Sequence, residues 1–465
     1  MPTTPVPNSL AARDIAYNLH PYTNARRHET HGPLVIARGE GICVYDEEGK
    51  EYIDGLAGLW SVAVGFSERR LIDAAMRQME QLPYSHSFAH RSHEPSIDLS
   101  EKLIKMAPAK FSKVFYTNSG SEANDTVVKL VWFYNNGRGR PLKKKIIARQ
   151  RGYHGITIAS GSLTGLPWNH RDFDLPIANI LHTACPHYWR YGWDGESEEE
   201  FASRMAGQLE EMILREGPDT IAAFIGEPVM GAGGVIVPPR TYWQKVQQVC
   251  RKYDVLVIAD EVITGFGRTG KPFGCLTYDI KPDILVVSKQ ITSSYMPLAA
   301  ILISDEFYQV IADNSAKIGT LGHGFTTSGH PVALAVALEN LKVIEERKLM
   351  ENAATVGVRL QKKLRDFADH PLVGEVRGVG LIAAVEFVAD KASKTPFPAA
   401  IGLPAYVMER AQEHGLLVRN IGDCVAFCPP MITTEAQVDE IAARFAKALA
   451  DTAAWVKDKV GKSAA

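Results

Sequence analysis

Two short apolar runs each end in one ionisable side chain. Val255-Leu-Val-Ile-Ala259 runs into Asp260, and Asp283-Ile-Leu-Val-Val-Ser288 runs into Lys289. Unbroken, branched runs of this length predict strands buried on both faces of a mostly parallel sheet. Ligands bind beyond the carboxyl ends of such strands, so an acid and an amine at two of those ends face one crevice. A third run, 113–116, leads into Thr117-Asn-Ser119-Gly120-Ser121-Glu122. Ser119 and Glu122 fit a capping box, and Val127, Val128, Val131 and Trp132 continue as a helix face. A helix that opens at a glycine just after a strand offers free N–H groups and a positive dipole end to a phosphate, and Ser121 adds a hydroxyl. Alone, that segment reads first as an ordinary capped helix. The phosphate reading rests on Asp260 and Lys289 lying at the same sheet edge.

Amine, carboxylate and phosphate seat together suit pyridoxal 5'-phosphate. Lys289 would bond its aldehyde as a Schiff base. Asp260 would pair with the pyridine nitrogen and keep it protonated, so that the ring can draw electrons from a substrate carbon. A lysine at a buried strand end is costly unless neutralised or used. Asp260 by itself could equally be a helix cap or a salt-bridge partner. Tyr153, in Arg151-Gly-Tyr153-His154-Gly155, is placed to stack on one face of the ring, and Val262, two residues past Asp260, to cover the other. Glu227, in Gly226-Glu-Pro228, shares the edge either as a cofactor contact or as a loop carboxylate. Gly265-Phe-Gly267-Arg-Thr-Gly270 imitates both a dinucleotide fingerprint and a P-loop. Lys271-Pro272 breaks the helix that the first requires, Asp283 begins the next strand instead of ending it, and Pro272 stands where the second needs a hydroxyl. A nicotinamide oxidoreductase is left as a remote alternative.

The scaffold for these groups is an α/β domain. Between about 95 and 330 short apolar runs alternate with helical patterns, with strands expected at 113–116, 145–148, 221–225, 255–259, 284–287 and 298–303. Residues 1–30 are polar, contain Pro2, Pro5, Pro7 and Pro21, and read as an arm; a hairpin follows over 42–53 with its turn at Asp46-Glu-Glu-Gly49. After Pro331 helical patterns dominate, broken by one long strand-like stretch, Val376 to Val388; Thr434 and Gln437 cap a last helix with apolar Val438, Ile441, Phe445 and Leu449. The expected division is 1–60 as arm and hairpin joining the small domain, 61–330 as a large cofactor-binding domain with a mostly parallel sheet, and 331–465 as a smaller α+β domain. The 51 basic residues against 53 acidic ones give no sign of a nucleic-acid or anionic membrane partner. The run Arg138 to Lys145 lacks aromatic interleaving and reads as a solvated loop. Six cysteines without metal or disulfide spacing, no signal pattern over 1–21 and no membrane-length apolar run suggest a cytoplasmic protein without a metal.

These residues resemble a family, the class III, fold-type I pyridoxal-phosphate aminotransferases. The resemblance covers roughly residues 30 to 450. It is carried by Ser119-Gly-Ser-Glu-Ala-Asn124, Gly152-Tyr-His-Gly155, Ala259-Asp-Glu-Val262 with the 265–270 glycine loop, Lys289, and His323-Gly-Phe-Thr326 with Gly329-His-Pro331. It implies a homodimer, with a tetramer left open, whose active sites lie at the subunit interface. It also implies that Thr326 and Phe325 reach the cofactor phosphate of the neighbouring subunit. Within the family the chain looks most like the ω-amino acid and amine:pyruvate transaminases. Trp60 would then line the substrate pocket, Phe88 would enter it from the partner, Tyr22 would complete it from the arm, and Arg419 would match a mobile arginine that grips a carboxylate. Without the resemblance, Trp60 and Phe88 read as core packing, and Arg419 reads equally as a surface ion-pair partner or as a carboxylate-binding group. The implied reaction takes an amino group from an amine or ω-amino acid to a keto acid such as pyruvate. An aminomutase, a decarboxylating transaminase or a binding protein without turnover are the rivals. One departure stands out: Lys289-Gln-Ile-Thr-Ser-Ser294 carries Ser294 where many relatives have glycine.

Overall fold

The computed structural model describes residues 6–463; residues 1–5, with Pro2 and Pro5, and residues 464–465 lie outside it. At its centre is a seven-stranded sheet. Its order is Lys113–Thr117, Ala299–Ile303, Ile284–Val287, Leu256–Asp260, Ile221–Gly226, Lys145–Arg149 and Ile180–Thr183. The last five pair in parallel, whereas Ala299–Ile303 runs antiparallel to both of its neighbours. Alternation does the work of burial. Leu285 and Val287 enter one core, with Phe224, Trp243 and Leu334; Ile284 and Val286 enter another, with Val127, Val131 and Ile258. Both faces of the Ile284–Val287 strand are therefore covered, which is why its sequence shows no polar alternation. Each such side chain contributes about 1.5–3 kcal/mol relative to exposure.

All six expected strands form, with each end within one residue of the expected position. The seventh, Ile180–Thr183, has no counterpart in the sequence reading. It is a four-residue edge strand whose middle residues, Leu181 and His182, are only partly buried, so it lacks the apolar run that marks the others. The stretch Val376 to Val388 is corrected: it is a hairpin of Val373–Val379 and Ile382–Phe387, turning at Gly380 with φ +55°. The turn needs glycine because a Cβ there would lie 2.5 Å from the Arg268 carbonyl oxygen.

Two smaller sheets complete the chain. In one, Ile36–Glu40, Cys43–Asp46 and Glu51–Asp54 are extended by Leu416–Leu417, which pairs in parallel with Glu51–Asp54. The hairpin near the start is thus stitched to a strand near the end. In the other, the Val373–Phe387 hairpin is joined by Cys424–Phe427 and Arg419–Ile421. The polar 1–30 segment holds two short helices, Leu10–Tyr17 and Ala25–His31, neither with a buried residue. The final helix, Glu435–Ser463, is capped reciprocally by Thr434 and Gln437. Among the described residues no helix is long and apolar enough to cross a membrane.

Candidate active site

Strands Leu256–Asp260 and Ile284–Val287 run side by side, with Asp260 opposite Val286. A cavity of about 740 Å³ opens where they end. Gly120, Ser121, Tyr153, Glu227, Asp260, Val262 and Lys289 line it on the sheet side. Tyr22, Trp60 and Arg419 line it from elsewhere in the chain. Strand ends and helix starts thus converge from segments more than 150 residues apart.

Asp260 is only 3% exposed. Its Oδ2 accepts from Asn124 Nδ2 at 2.9 Å and bonds His154 Nδ1 at 2.8 Å, and its Oδ1 accepts the Val262 N–H at 3.1 Å. Burial alone would push the carboxyl up. The bonds from His154 and Asn124 outweigh it and hold Asp260 below the usual carboxylate range. The acid is therefore an anion with both oxygens held by hydrogen bonds. Asn124 and His154 were not singled out in the sequence, although both sit inside its motifs, at the ends of Ser119–Asn124 and in Gly152–Gly155. The signal was their place in those motifs; the partner they share, 100 and more residues away, was not legible.

Lys289 follows the Ile284–Val287 strand in a left-handed conformation, φ +47°. That costs a non-glycine residue about 1–2 kcal/mol and is the kind of strain retained at functional sites. Burial lowers its amine to a pKa of about 8, against the opposing pull of Asp260 and Glu227. A fraction of the amine is then neutral, and nucleophilic, near neutral pH.

The helix expected after the 113–116 strand starts at Gly120. The Gly120–Gly137 helix is capped by Ser119, whose Oγ accepts the Glu122 N–H at 3.2 Å. The box is half formed, because the Glu122 carboxylate takes the backbone and side chain of Asn118 instead of reaching Ser119. A Cβ on Gly120 would meet Val262 Cγ2 at 3.3 Å, so glycine here lets a ligand and the Val262 side chain approach the helix start. Glu227 turns out to hold backbone: its two oxygens accept the Tyr153 N–H at 3.0 Å and the Gly231 N–H at 2.8 Å. It fixes the chain that carries Tyr153, which favours the loop-carboxylate reading.

The outer wall is built differently. Trp60 is both core and lining: 1% exposed, packed with Val229, Val235 and Ile382, and held at φ +65°. Tyr22 comes from the arm, and its hydroxyl accepts from Asn169 Nδ2 at 2.5 Å. The Arg419 guanidinium lies 5.9 Å from the Tyr22 ring centre. Among the described residues no carboxylate pairs with Arg419. Burial lowers its pKa, partly opposed by Tyr22 and Tyr153. A partly buried guanidinium with no acid beside it is a seat for an anion. Trp168 also lines this wall, from a single 3-10 turn, Pro167–Asn169, that the sequence reading does not mark.

Phe88, Phe325 and Thr326 do not line this cavity. They gather elsewhere: a Cβ on Gly324 would touch Phe88 at 2.8 Å, and the Tyr84 hydroxyl donates to the Thr326 carbonyl at 2.6 Å. They lie at or beside a second cavity of about 820 Å³ that includes Phe88, Lys129 and His323 and shares no lining residue with the first. Ser294, in the loop after Lys289, is exposed and left-handed at φ +60°, the conformation that a glycine would adopt without cost.

Comparison with known proteins gives a consistent picture. Residues 23–449 match the family model described as aminotransferase class-III. The solved ω-transaminase of Pseudomonas jessenii in complex with PMP is 64% identical, covers 97% of this chain and 99% of its own, and superposes with a TM-score of 0.96. The chloroplastic gamma aminobutyrate transaminase 3 of Solanum lycopersicum is 51% identical over 97% of this chain and 88% of its own length. The vanillin aminotransferase of Capsicum chinense is 52% identical over 92% of this chain and 93% of its own length.

Proposed function

The chain belongs to the class III aminotransferases and uses pyridoxal 5'-phosphate to move an amino group from an amine or ω-amino acid to a keto acid; from that premise we propose that pyruvate is its acceptor and that the cavity at Asp260 and Lys289 is where the transfer occurs. The observation that carries the site is a fixed anion and a partly neutral amine buried in one cavity beside a glycine-led helix start. That donor set fits the cofactor. Gly120 and Ser121 would hold its phosphate, Tyr153 and Val262 its ring faces, and Asp260 its ring nitrogen, while Lys289 would bond its aldehyde. When bound, the cofactor supplies an electron sink that acidifies the carbon bearing the donor's amino group.

The protein's own residues do the rest. His154 and Asn124 keep Asp260 anionic and aimed. With the cofactor bound, Lys289 Nζ would accept the proton from the donor's amino-bearing carbon as general base and hold it as an ammonium, ready to return it as general acid. Its lowered pKa suits both tasks near neutral pH. Arg419 binds the keto acid's carboxylate, and for donors without a carboxylate it must turn away. Trp60 and Tyr22 give the wall an apolar, aromatic face, which suits the non-polar part of an amine. Release of carbon dioxide, or turnover without an acceptor, would favour the rival chemistries.

The same reading makes the enzyme a homodimer in which Phe88, Phe325 and Thr326 serve the partner's site, a role supported by their exposure and by their absence from the lining of their own cavity. It divides the chain into 1–60, 61–330 and 331–465, with the stitched N-terminal hairpin belonging to the small domain. Six free cysteines, five of them buried, support the cytoplasm as its compartment. The test is acceptor choice. With an amine donor in excess, pyruvate should give alanine and the matching carbonyl product in equal amounts. Turnover with 2-oxoglutarate but not pyruvate would overturn the acceptor assignment.

A further inference from the structure

The arm that delivers Tyr22 carries a second cluster of chemistry-bearing groups. Asp14 lies within the Leu10–Tyr17 helix, His20 in the following loop, and His28 in the Ala25–His31 helix. Both imidazoles point Nε2 at one carboxylate oxygen: Asp14 Oδ2 is 2.7 Å from His20 Nε2 and 3.0 Å from His28 Nε2. The rings lie together, with centroids 4.2 Å apart. All three ligand atoms fall within 4.8 Å of one another. The other carboxylate oxygen is fixed by Asn18 Nδ2 at 2.6 Å, which orients the acid. That bond, with those from the two histidines, also keeps the carboxyl below its usual range.

We propose that Asp14, His20 and His28 bind one divalent first-row transition ion, zinc foremost, and that this ion fastens the arm that walls the active site. Two imidazole nitrogens and one carboxylate oxygen are a recurrent zinc donor set, completed by water. Tetrahedral coordination with bonds of about 2.0–2.1 Å separates ligand atoms by roughly 3.3 Å. The two nitrogen–oxygen distances, 2.7 and 3.0 Å, fall short of that spacing by roughly 0.3–0.6 Å, so small side-chain adjustments bring Asp14 into range of an ion shared with both rings. On binding, each ring shifts its proton to Nδ1 and turns the Nε2 lone pair to the ion. The carboxylate supplies the third bond. His20 is 33% exposed, which leaves an entry path and room for the water ligand.

A second grouping shows what a filled cluster looks like. His187, Glu375 and Glu386 are similarly close, but the Arg377 guanidinium bonds both carboxylates, at 2.6 and 2.5 Å, and takes the place of an ion. No such cation is bonded to Asp14 among the described residues. The consequence runs through sequence adjacency: Pro21 and Tyr22 follow His20 directly and line the catalytic cavity.

The test uses the cofactor-loaded enzyme, stripped with a chelator, desalted and dialysed against zinc chloride. One zinc per chain should be retained, and His28→Ala or His20→Ala should lose it. Asn18→Leu, which leaves the three ligands in place, should weaken binding by about 10-fold. Zinc should also slow tryptic cleavage at Arg13, Arg26 and Arg27 in the wild type and not in His28→Ala. Equal zinc content in the wild type and both histidine variants, or none in the wild type, would overturn the site. Unchanged cleavage rates with zinc bound would overturn its fastening of the arm.

Discussion

The sheet-edge half of the proposed catalytic cavity and its outer wall obey different rules. At the edge, Asp260 and Lys289 are carried by strands buried on both faces, and every hydrogen-bonding partner that aims Asp260 is itself buried or part-buried. The wall is assembled from an arm with no buried helix residue, a strained segment at Trp60 and a short strand at Arg419. A site that must do the same chemistry on every substrate is rigid. In the proposed wall, which would accept an amine and then a keto acid, Tyr22 and Arg419 are held by fewer fixed contacts, whereas Trp60 is packed into the core. The difference predicts that lesions at the edge abolish both half-reactions, whereas lesions in the wall separate them.

The largest effect belongs to Lys289. Lys289→Ala should reduce turnover by at least about 10⁴-fold, the upper range for a positioned acid–base group, while cofactor still binds weakly through the phosphate seat. Steady-state rates and bound-cofactor absorbance check both. Near-normal turnover would erase the distinction between edge and wall. Asp260→Asn should cost about 10²–10³-fold, the scale for one preorganised electrostatic group. Arg419→Ala should raise the keto acid KM by roughly 10–100-fold, as expected for loss of a charge-assisted bond worth about 1.5–3 kcal/mol, and leave an amine donor without a carboxylate little affected.

The edge was also the part most legible in the sequence. A strand buried on both faces writes itself as an unbroken apolar run, so Asp260 and Lys289 could be located as the groups that end such runs. Ile180–Thr183, at the sheet's rim, writes no such run and was missed. Asn124 and His154 could be seen in their motifs, but their shared partner could not, because a hydrogen bond across 106 residues leaves no local pattern. Glu227 was legible as an acid at the edge, not as the acceptor of two backbone N–H groups. For Trp60, Tyr22 and Arg419 only the family resemblance pointed to a pocket, since an aromatic near a core and an arginine on a short strand have commoner uses.

Two smaller predictions follow from the edge itself. The pKa of Lys289 is lowered to about 8, so its folded form binds fewer protons than the unfolded chain between about pH 8 and the ordinary lysine value. Stability of the cofactor-free protein should therefore rise with pH across that window. The rate of cofactor uptake should climb with pH and level off above about 8. A flat uptake profile from pH 6 to 10 would place Lys289 in a different environment. Ser294→Gly should stabilise the protein by up to about 1 kcal/mol, the relief of a left-handed serine offset by glycine's added chain entropy, with no change in either half-reaction. Thermal denaturation checks it.

The most direct measurement follows single turnovers of the two half-reactions in Asp260→Asn and Arg419→Ala beside the wild type. The amine step is read by loss of the bound-cofactor absorbance and the keto acid step by its return. Asp260→Asn should slow both steps by similar factors, and Arg419→Ala should slow the keto acid step at least tenfold more than the amine step. Equal losses in the two steps for Arg419→Ala would contradict the division of labour between edge and wall.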